Sequence, residues 1–244
     1  MSARTDKPSK TAFYDLGRGT GGFRDWLTLL HPPYTVWHLS YVAIGAALVP
    51  HPVLWRLGGT LLAFFLAVGI GAHALDELHG RPLGTGISSR KLIAAAVLSI
   101  GAAMAGGLVY GGLRLVPFVV IGALFVFGYN LELAGGVLHS DLGFAVTWGA
   151  FPVLVGAYAQ HWTLPPAAWA AAVAAVLMSL GQRSLSTPVR AIRRRVTQVS
   201  LRVTWRDGSQ REYGRAELLT PVEHALRAMA WAVSALAVAL VLAR

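Results

Sequence analysis

The chain contains no cysteine. A disulfide framework is therefore excluded, and no thiolate can act as nucleophile or metal ligand. Charge is also scarce. Asp, Glu, Lys and Arg make up 13% of the 244 residues, against about 25% in a soluble domain. The deficit is uneven, with 11 acidic residues against 21 lysines and arginines, a formal net charge of +10. A secretory signal is missing as well: the first strongly apolar run begins near Tyr34, behind a polar leader, with no small-residue cleavage site after it. The first helix is therefore expected to be retained.

What fills the chain instead is apolar sequence, 55% of it, in runs that recur along almost the whole length. A helix crossing a hydrocarbon core of ~30 Å needs about 20 mostly apolar residues. Seven candidates stand out: Tyr34 to Val49, Val53 to Leu78, Lys91 to Tyr110, Leu115 to Ala134, Leu142 to Gln160, Pro165 to Leu180 and Pro221 to Leu242. The expected fold is an all-α integral membrane bundle of seven transmembrane helices. It divides into a leader with an interfacial helix (1–33), a six-helix core (34–181), a basic loop (182–220) and a last helix (221–244).

Loop charges orient this bundle. The leader carries Arg4, Lys7, Lys10, Arg18 and Arg24, the second loop in the bundle carries Arg81 and Arg90, and nine arginines lie between Arg183 and Arg215. Cytoplasmic loops carry the excess of Lys and Arg. Seven spans then place the N-terminus inside, the C-terminus outside, and the protein in the cell membrane. The arginine-rich loop beside membrane spans reads as a topology signal and a site for anionic headgroups, not as a nucleic-acid surface. Two segments have further structure. Phe23 to Leu30 mixes charge with Trp and Leu and reads as an amphipathic interfacial helix. Val199, Leu201, Val203 and Trp205 alternate with Ser200, Arg202 and Thr204, a period-two strand followed by the turn pair Asp207-Gly208, so a small cytoplasmic β-hairpin is expected. Thr220-Pro221-Val222-Glu223 reads as the start of the last helix.

Ionisable groups within spans are expensive, so they are candidates for function. The second span ends in His73-Ala74-Leu75-Asp76-Glu77. His73 lies one turn from Glu77 and three residues from Asp76. The fourth ends in Tyr129-Asn130-Leu131-Glu132, with His139 and Asp141 following. By the topology above, His73, Asp76, Glu77, Glu132, His139 and Asp141 reach one membrane level. Carboxylates and imidazoles together bind a divalent metal or exchange protons. Asp76 also has Arg81 and Arg90 as possible ion-pair partners, and Asp141 is placed to cap a helix. His38, His51, His161 and His224 lie outside this group and read as structural. Gly84-Thr85-Gly86, between Arg81 and a helix start near Ser88, suits anion binding.

These residues resemble the first signature of the UbiA superfamily of intramembrane prenyltransferases. The likeness runs from His73 through Asp76 into Arg81-Pro82-Leu83-Gly84-Thr85-Gly86-Ile87-Ser88. Gly149-Ala150-x-Pro152 and Gly156-x-Tyr158 agree with the family's fifth helix, and the likeness covers roughly residues 24 to 190. It implies a UbiA-like bundle in which acidic motifs hold Mg²⁺ on a prenyl diphosphate, and in which the prenyl group passes to a lipophilic acceptor. Asp76 matches the motif's middle aspartate and Arg81 the family arginine, while His73 stands where the first aspartate is expected. No acidic residue lies between Ala174 and Gln182, where a second acidic motif belongs. The expected site is therefore His73, Asp76 and His139 in chemistry, with Arg81, Tyr129, Asn130 and Arg183 on an isoprenoid substrate. Asp76, Glu77, Glu132, Asp141, His73 and His139 are the candidate ligands for a divalent metal. Histidine in place of aspartate opens two alternatives, an iron or zinc site on the same scaffold or a proton-transfer role for the imidazole. A third is a non-catalytic subunit that binds lipid or docks a partner.

Overall fold

The computed structural model describes residues 11–16 and 19–244, so Arg4, Lys7, Lys10 and Arg18 of the leader lie outside the described residues. The chain is mostly helical. A short helix α1 (Phe23–Leu29) leads into α2 (Pro32–Ala47), α3 (Leu54–Leu78), α4 (Ser89–Gly111), α5 (Val116–Asn130), α6 (Asp141–His161), α7 (Pro166–Arg195) and α8 (Arg215–Leu242). Proline opens α2, α5 and α7 within the first two positions, where its missing N–H costs nothing. Ser140 caps α6, its hydroxyl accepting the Gly143 N–H at 3.0 Å.

Five helices (α3, α6, α7, α8, and α4 extended to Arg114) are long and apolar enough to cross a membrane. A sixth is counted if α5 and Leu133–His139, bent by 82°, form one broken span. Helix α2, with 16 residues, is ~24 Å long. Outward-facing Leu62, Val97, Leu98, Leu124, Leu177 and Val238 are more than half exposed, a surface that suits lipid and not water. The chain is a membrane protein by this measure.

Helix α2 lies at the centre, packed along α6 on one side and α8 on the other. Its approach to α6 is made at two glycines. A Cβ on Gly45 would stand 2.0 Å from the Val153 carbonyl oxygen, and one on Gly156 would stand 2.1 Å from that of Val42. Small residues let membrane helices reach this distance. Trp37, Tyr41, Val153, Ala172, Ala175, Ala230 and Val233 fill the space where α2, α6, α7 and α8 meet.

The helices share two ends. At one lie His31, Leu78, Asn130, Asp141 and the C-terminal turns of α7. At the other, His161 Nε2 meets the His51 carbonyl at 3.1 Å and Arg244 donates to that of Ala47 at 2.7 Å. The first is the basic end, where Arg24, Arg81, Arg90 and the arginines from 183 to 215 gather.

Two expected helix boundaries change. Helix α7 continues through residue 181 to Arg195 and does not stop at Leu180. Hydropathy stops at the first arginines, but the backbone helix does not. Helix α8 starts at Arg215 and not at Thr220: the Glu217 carboxylate accepts the Gly214 N–H at 3.0 Å, and Pro221 sits in the second turn. Glu223, expected as a cap, is instead buried and takes a bidentate ion pair from Arg193 at 2.5 and 2.8 Å. The hairpin forms as expected, β1 (Leu201–Thr204) against β2 (Gln210–Tyr213), with Leu201 opposite Tyr213. Its loop spans three residues, Arg206 to Gly208, closed by Trp205 N–H to the Ser209 carbonyl at 2.8 Å, with Gly208 at φ +84°. Helix α1 is held inward by Asp25, which accepts from Gly21 N–H at 2.7 Å and Gly86 N–H at 3.0 Å, while Phe23 faces out.

Candidate functional site

At the basic end the helices enclose a polar chamber of about 460 Å³. Helix α3 supplies Ala72, His73, Asp76 and His79, which fall within an arc of about 120° of one helix face. Helix α2 supplies His31, at its N-terminal cap, with Tyr34 and His38. Tyr129, Asn130, Glu132 and His139 come from the end of α5 and the bend after it. The fourth wall is α7, through Gln182, Arg183, Ser186, Thr187, Arg190 and Arg194. Spaced by seven and four residues, Arg183, Arg190 and Arg194 lie within about 40° of one another around the helix and form one row.

Seven of the residues expected at the site do meet here: His73, Asp76, Tyr129, Asn130, Glu132, His139 and Arg183. Three do not. Glu77 lies about 40° beyond His73 on the helix, outside the chamber face. It is fully buried, and its carboxylate accepts Leu83 N–H at 2.9 Å, Thr85 N–H at 2.8 Å and the Thr85 hydroxyl at 2.9 Å. Arg81 turns back into its own loop, donating to the Ile87 carbonyl at 2.5 Å and to Ser89 Oγ at 2.8 Å. It neither faces the chamber nor pairs with Asp76. Asp141 stands outside the lining and receives Arg183 Nε at 2.6 Å. The loop at Gly84-Thr85-Gly86 offers no free amide pair to an anion, because Glu77 takes the Thr85 N–H and Asp25 the Gly86 N–H.

Within the chamber the imidazoles are oriented by backbone carbonyls. Nδ1 of His73 lies 3.1 Å from Gly69 O, Nδ1 of His38 2.8 Å from Trp148 O, and Nδ1 of His139 3.1 Å from Tyr129 O. A carbonyl only accepts, so each Nδ1 carries the hydrogen and each Nε2 is left as an acceptor while the ring is neutral. The carbonyls of Gly69 and Trp148 belong to π-helical turns, Phe65–Ala72 and Val146–Ala150, a distortion common at functional sites. His31 stacks on His73 with ring centres 4.2 Å apart and planes 11° from parallel. The Tyr14 hydroxyl is 3.0 Å from His31 Nδ1, and His31 Nε2 is buried without a hydrogen-bond partner among the described residues. Burial, reinforced by His73, Arg194 and Arg190, holds the His31 pKa well below the ordinary imidazole value. His139 stacks on Tyr129 at 4.6 Å and stands 4.0 Å from the Glu132 carboxylate. The bend that brings them together uses left-handed backbone at Glu132, Ala134, Gly135 and Gly136.

No three His, Asp or Glu side chains converge on one point among the described residues. Glu77 is spent on a loop and Asp141 on Arg183, while the Nε2 atoms of His38, His73 and His139 keep their lone pairs.

Positive charge is in excess. Arg183 is neutralised by Asp141, donates to the Tyr129 hydroxyl at 2.8 Å and covers the Phe144 ring at 5.1 Å. Arg190 and Arg194 make no ion pair among the described residues; Arg190 reaches only the Thr187 hydroxyl, at 3.4 Å. Sequence reasoning missed both, along with His31, Tyr34 and Gln182, and took His38 as merely structural. The spacing of the three arginines was available as a signal, but only to a reading that let the helix continue.

Behind the chamber lies an apolar crevice of about 310 Å³. Its walls include Ala63, Ala67, Met104, Phe118, Phe125 and Phe151, and it ends at Trp55, Arg56 and Tyr110 at the opposite end. Val68 and Trp148 line both cavities. Arg56 closes the far end, its guanidinium 5.6 Å from the Trp55 and Trp162 ring centres and 5.8 Å from that of Tyr110.

Compared with protein-family models, with curated protein sequences and with solved structures, the chain matches none.

Proposed function

We propose that the protein is a divergent UbiA-like membrane enzyme that takes an isoprenoid or similar amphiphile bearing an anionic headgroup and carries out prenyl transfer or related diphosphate chemistry. One observation carries this reading: a basic chamber and an apolar crevice share Val68 and Trp148 as common walls. That arrangement suits a ligand with a charged head and a long tail. From Val68 to Arg56 the crevice follows twelve residues of helix α3, or ~18 Å. At ~1.25 Å of advance per carbon in an extended chain, this takes about 14 main-chain carbons, three to four isoprene units. His73, with Nδ1 occupied and Nε2 facing the chamber, and Asp76 beside it are the groups placed to move protons on an acceptor.

All seven long helical passes cross the bilayer in this reading. The basic end is cytoplasmic, as the positive-inside rule requires: it gathers Arg24, Arg81, Arg90 and the arginines from 183 to 215, against Arg56, Arg114 and Arg244 at the other end. The shortness of α2 is offset by the interface, where Trp55, Tyr110 and Trp162 form an aromatic belt. The hairpin, with Leu201 and Trp205 exposed beside Arg202, Arg206 and Arg211, rests on anionic headgroups.

The test is thermal stabilisation of purified protein in nanodiscs, with Mg²⁺ present, by farnesyl diphosphate, farnesol and inorganic pyrophosphate. Farnesyl diphosphate is expected to stabilise more than either half alone. Gly59→Phe should weaken that effect, because Gly59 lines the crevice and its Cβ direction is open. Equal effects of farnesol and farnesyl diphosphate, or none from any of the three, would refute the reading. Binding without release of pyrophosphate when acceptor lipids are added would leave a lipid-binding membrane subunit.

A further inference from the structure

Just beyond Ala174 to Gln182, where the family resemblance leads one to expect a second acidic motif, α7 continues and carries an arginine row. The lining of the chamber carries Arg183, Arg190, Arg194 and Arg195 against only Asp76 and Glu132. Arg183 has Asp141 as its own counter-ion. Arg190 and Arg194 make no direct ion pair among the described residues and share the more distant charge of Asp76 across the chamber, although they stand one turn apart, where like charges repel. The Ser186 and Thr187 hydroxyls lie on the same wall and the Tyr34 hydroxyl faces it, so hydrogen-bond donors stand beside the two guanidiniums. Gln182 is buried in the same wall, and its side-chain oxygen has no hydrogen-bond partner among the described residues. Guanidinium is weakly hydrated and matches phosphate oxygens two at a time. Two guanidiniums without a direct ion pair, in a chamber where no three His, Asp or Glu side chains are grouped to hold a metal ion among the described residues, are the charge pattern for an anion bound without an intermediary cation.

We propose that the phosphate or diphosphate headgroup of the amphiphile is held directly by Arg190 and Arg194, with no bridging metal ion. This rests on the two-chamber reading above and deepens it, assigning to guanidinium the charge neutralisation that a metal centre would otherwise supply.

The experiment is binding of farnesyl diphosphate, measured by titration calorimetry on the nanodisc-embedded protein, in excess EDTA and separately in Mg²⁺. Farnesyl monophosphate serves as a second probe, so that a diphosphate-specific and a general phosphate site are told apart. The affinity in EDTA is expected to stay within about twofold of that in Mg²⁺. Arg190→Gln and Arg194→Gln should each lower it about tenfold or more, as loss of a charge-assisted contact requires. Arg202→Gln with Arg206→Gln, which removes the same charge from the hairpin, should leave it within twofold. The EDTA arm is run on the unaltered protein and does not depend on how the variants fold. Binding that vanishes in EDTA, returns with Mg²⁺ and survives in the Arg190→Gln, Arg194→Gln double variant would overturn direct guanidinium recognition while keeping the two-chamber reading. No binding in either buffer would overturn both.

Discussion

Removing the carboxylate of Glu223 should loosen the wall that carries the arginine row. Glu223 is 5% exposed, and Arg193 grips both its oxygens, at 2.5 and 2.8 Å. The pair joins α7 to α8. Arg193 lies about 80° around α7 from the Arg183–Arg190–Arg194 line, so the clamp fixes which way that line faces. Breaking a buried pair by deleting one partner costs about 3–5 kcal/mol, because the other charge stays desolvated and unmatched. For a chain of this size 1 kcal/mol corresponds to about 2–4 °C, so Glu223→Ala should lower the unfolding midpoint in nanodiscs by ~6–20 °C. The same variant should weaken farnesyl diphosphate binding although Glu223 does not line the chamber. The double variant Arg193→Met, Glu223→Leu removes both charges and keeps the volume. Such replacements are often neutral or stabilising, so its midpoint should return to within a few degrees of the starting protein. If Glu223→Ala proves as stable as the original, or if the double variant is as unstable as the single, the clamp is not what positions α7.

Three other outcomes are expected. Gly45→Ala and Gly156→Ala should each cost about 3 kcal/mol or more, since the new methyl would stand near 2 Å from a backbone oxygen of the facing helix; Gly101→Ala, with nothing within 4 Å of its Cβ, should be neutral or slightly stabilising in the same melting assay. Stability should fall with pH. His31 is buried beside His73, Arg190 and Arg194 and resists protonation when folded, whereas the unfolded chain takes up its proton near pH 6.5. Below that pH the unfolded state binds more protons, so this contribution, complete above about 6.5, is lost at up to ~1.4 kcal/mol per pH unit as pH falls. His31→Gln should flatten the melting profile over that range, and a slope unchanged by it would show that the loss arises elsewhere. Glu77→Gln should free the loop from Arg81 to Ser88, because three donors converge on the carboxylate; faster hydrogen exchange at the Leu83 and Thr85 amides is the readout, and exchange at the original rate would argue that Arg81 alone holds the loop.

Much of this molecule could be read in one dimension. Apolar run length exposes the helices because the thickness of a bilayer sets a length that sequence must match. The alternation from Val199 to Trp205 discloses the hairpin because side chains of a strand alternate by steric necessity. The grouping of His73 and Asp76 with Tyr129, Asn130, Glu132, His139 and Arg183 followed from counting crossings, since an even number of passes returns the chain to the same end. What one dimension could not supply was direction around each helix axis. His73, Asp76 and Glu77 are near neighbours in sequence, yet a rotation of about 100° between the last two sends one to the chamber and the other into a loop anchor. Arg81 and Asp141 sit at the right level with the wrong partners, because hydrogen-bond acceptors nearer to hand claim them. The arginine row and the clamp at Arg193 stayed hidden for a related reason. Hydropathy marks where a helix leaves the lipid, not where its backbone bonds stop, and the last turns of α7 became a wall of the chamber only through packing against α2, α6 and α8. Membership of a membrane bundle was thus written in composition. That the last turns of α7 bring Arg183, Arg190 and Arg194 into one chamber wall was settled by tertiary contact.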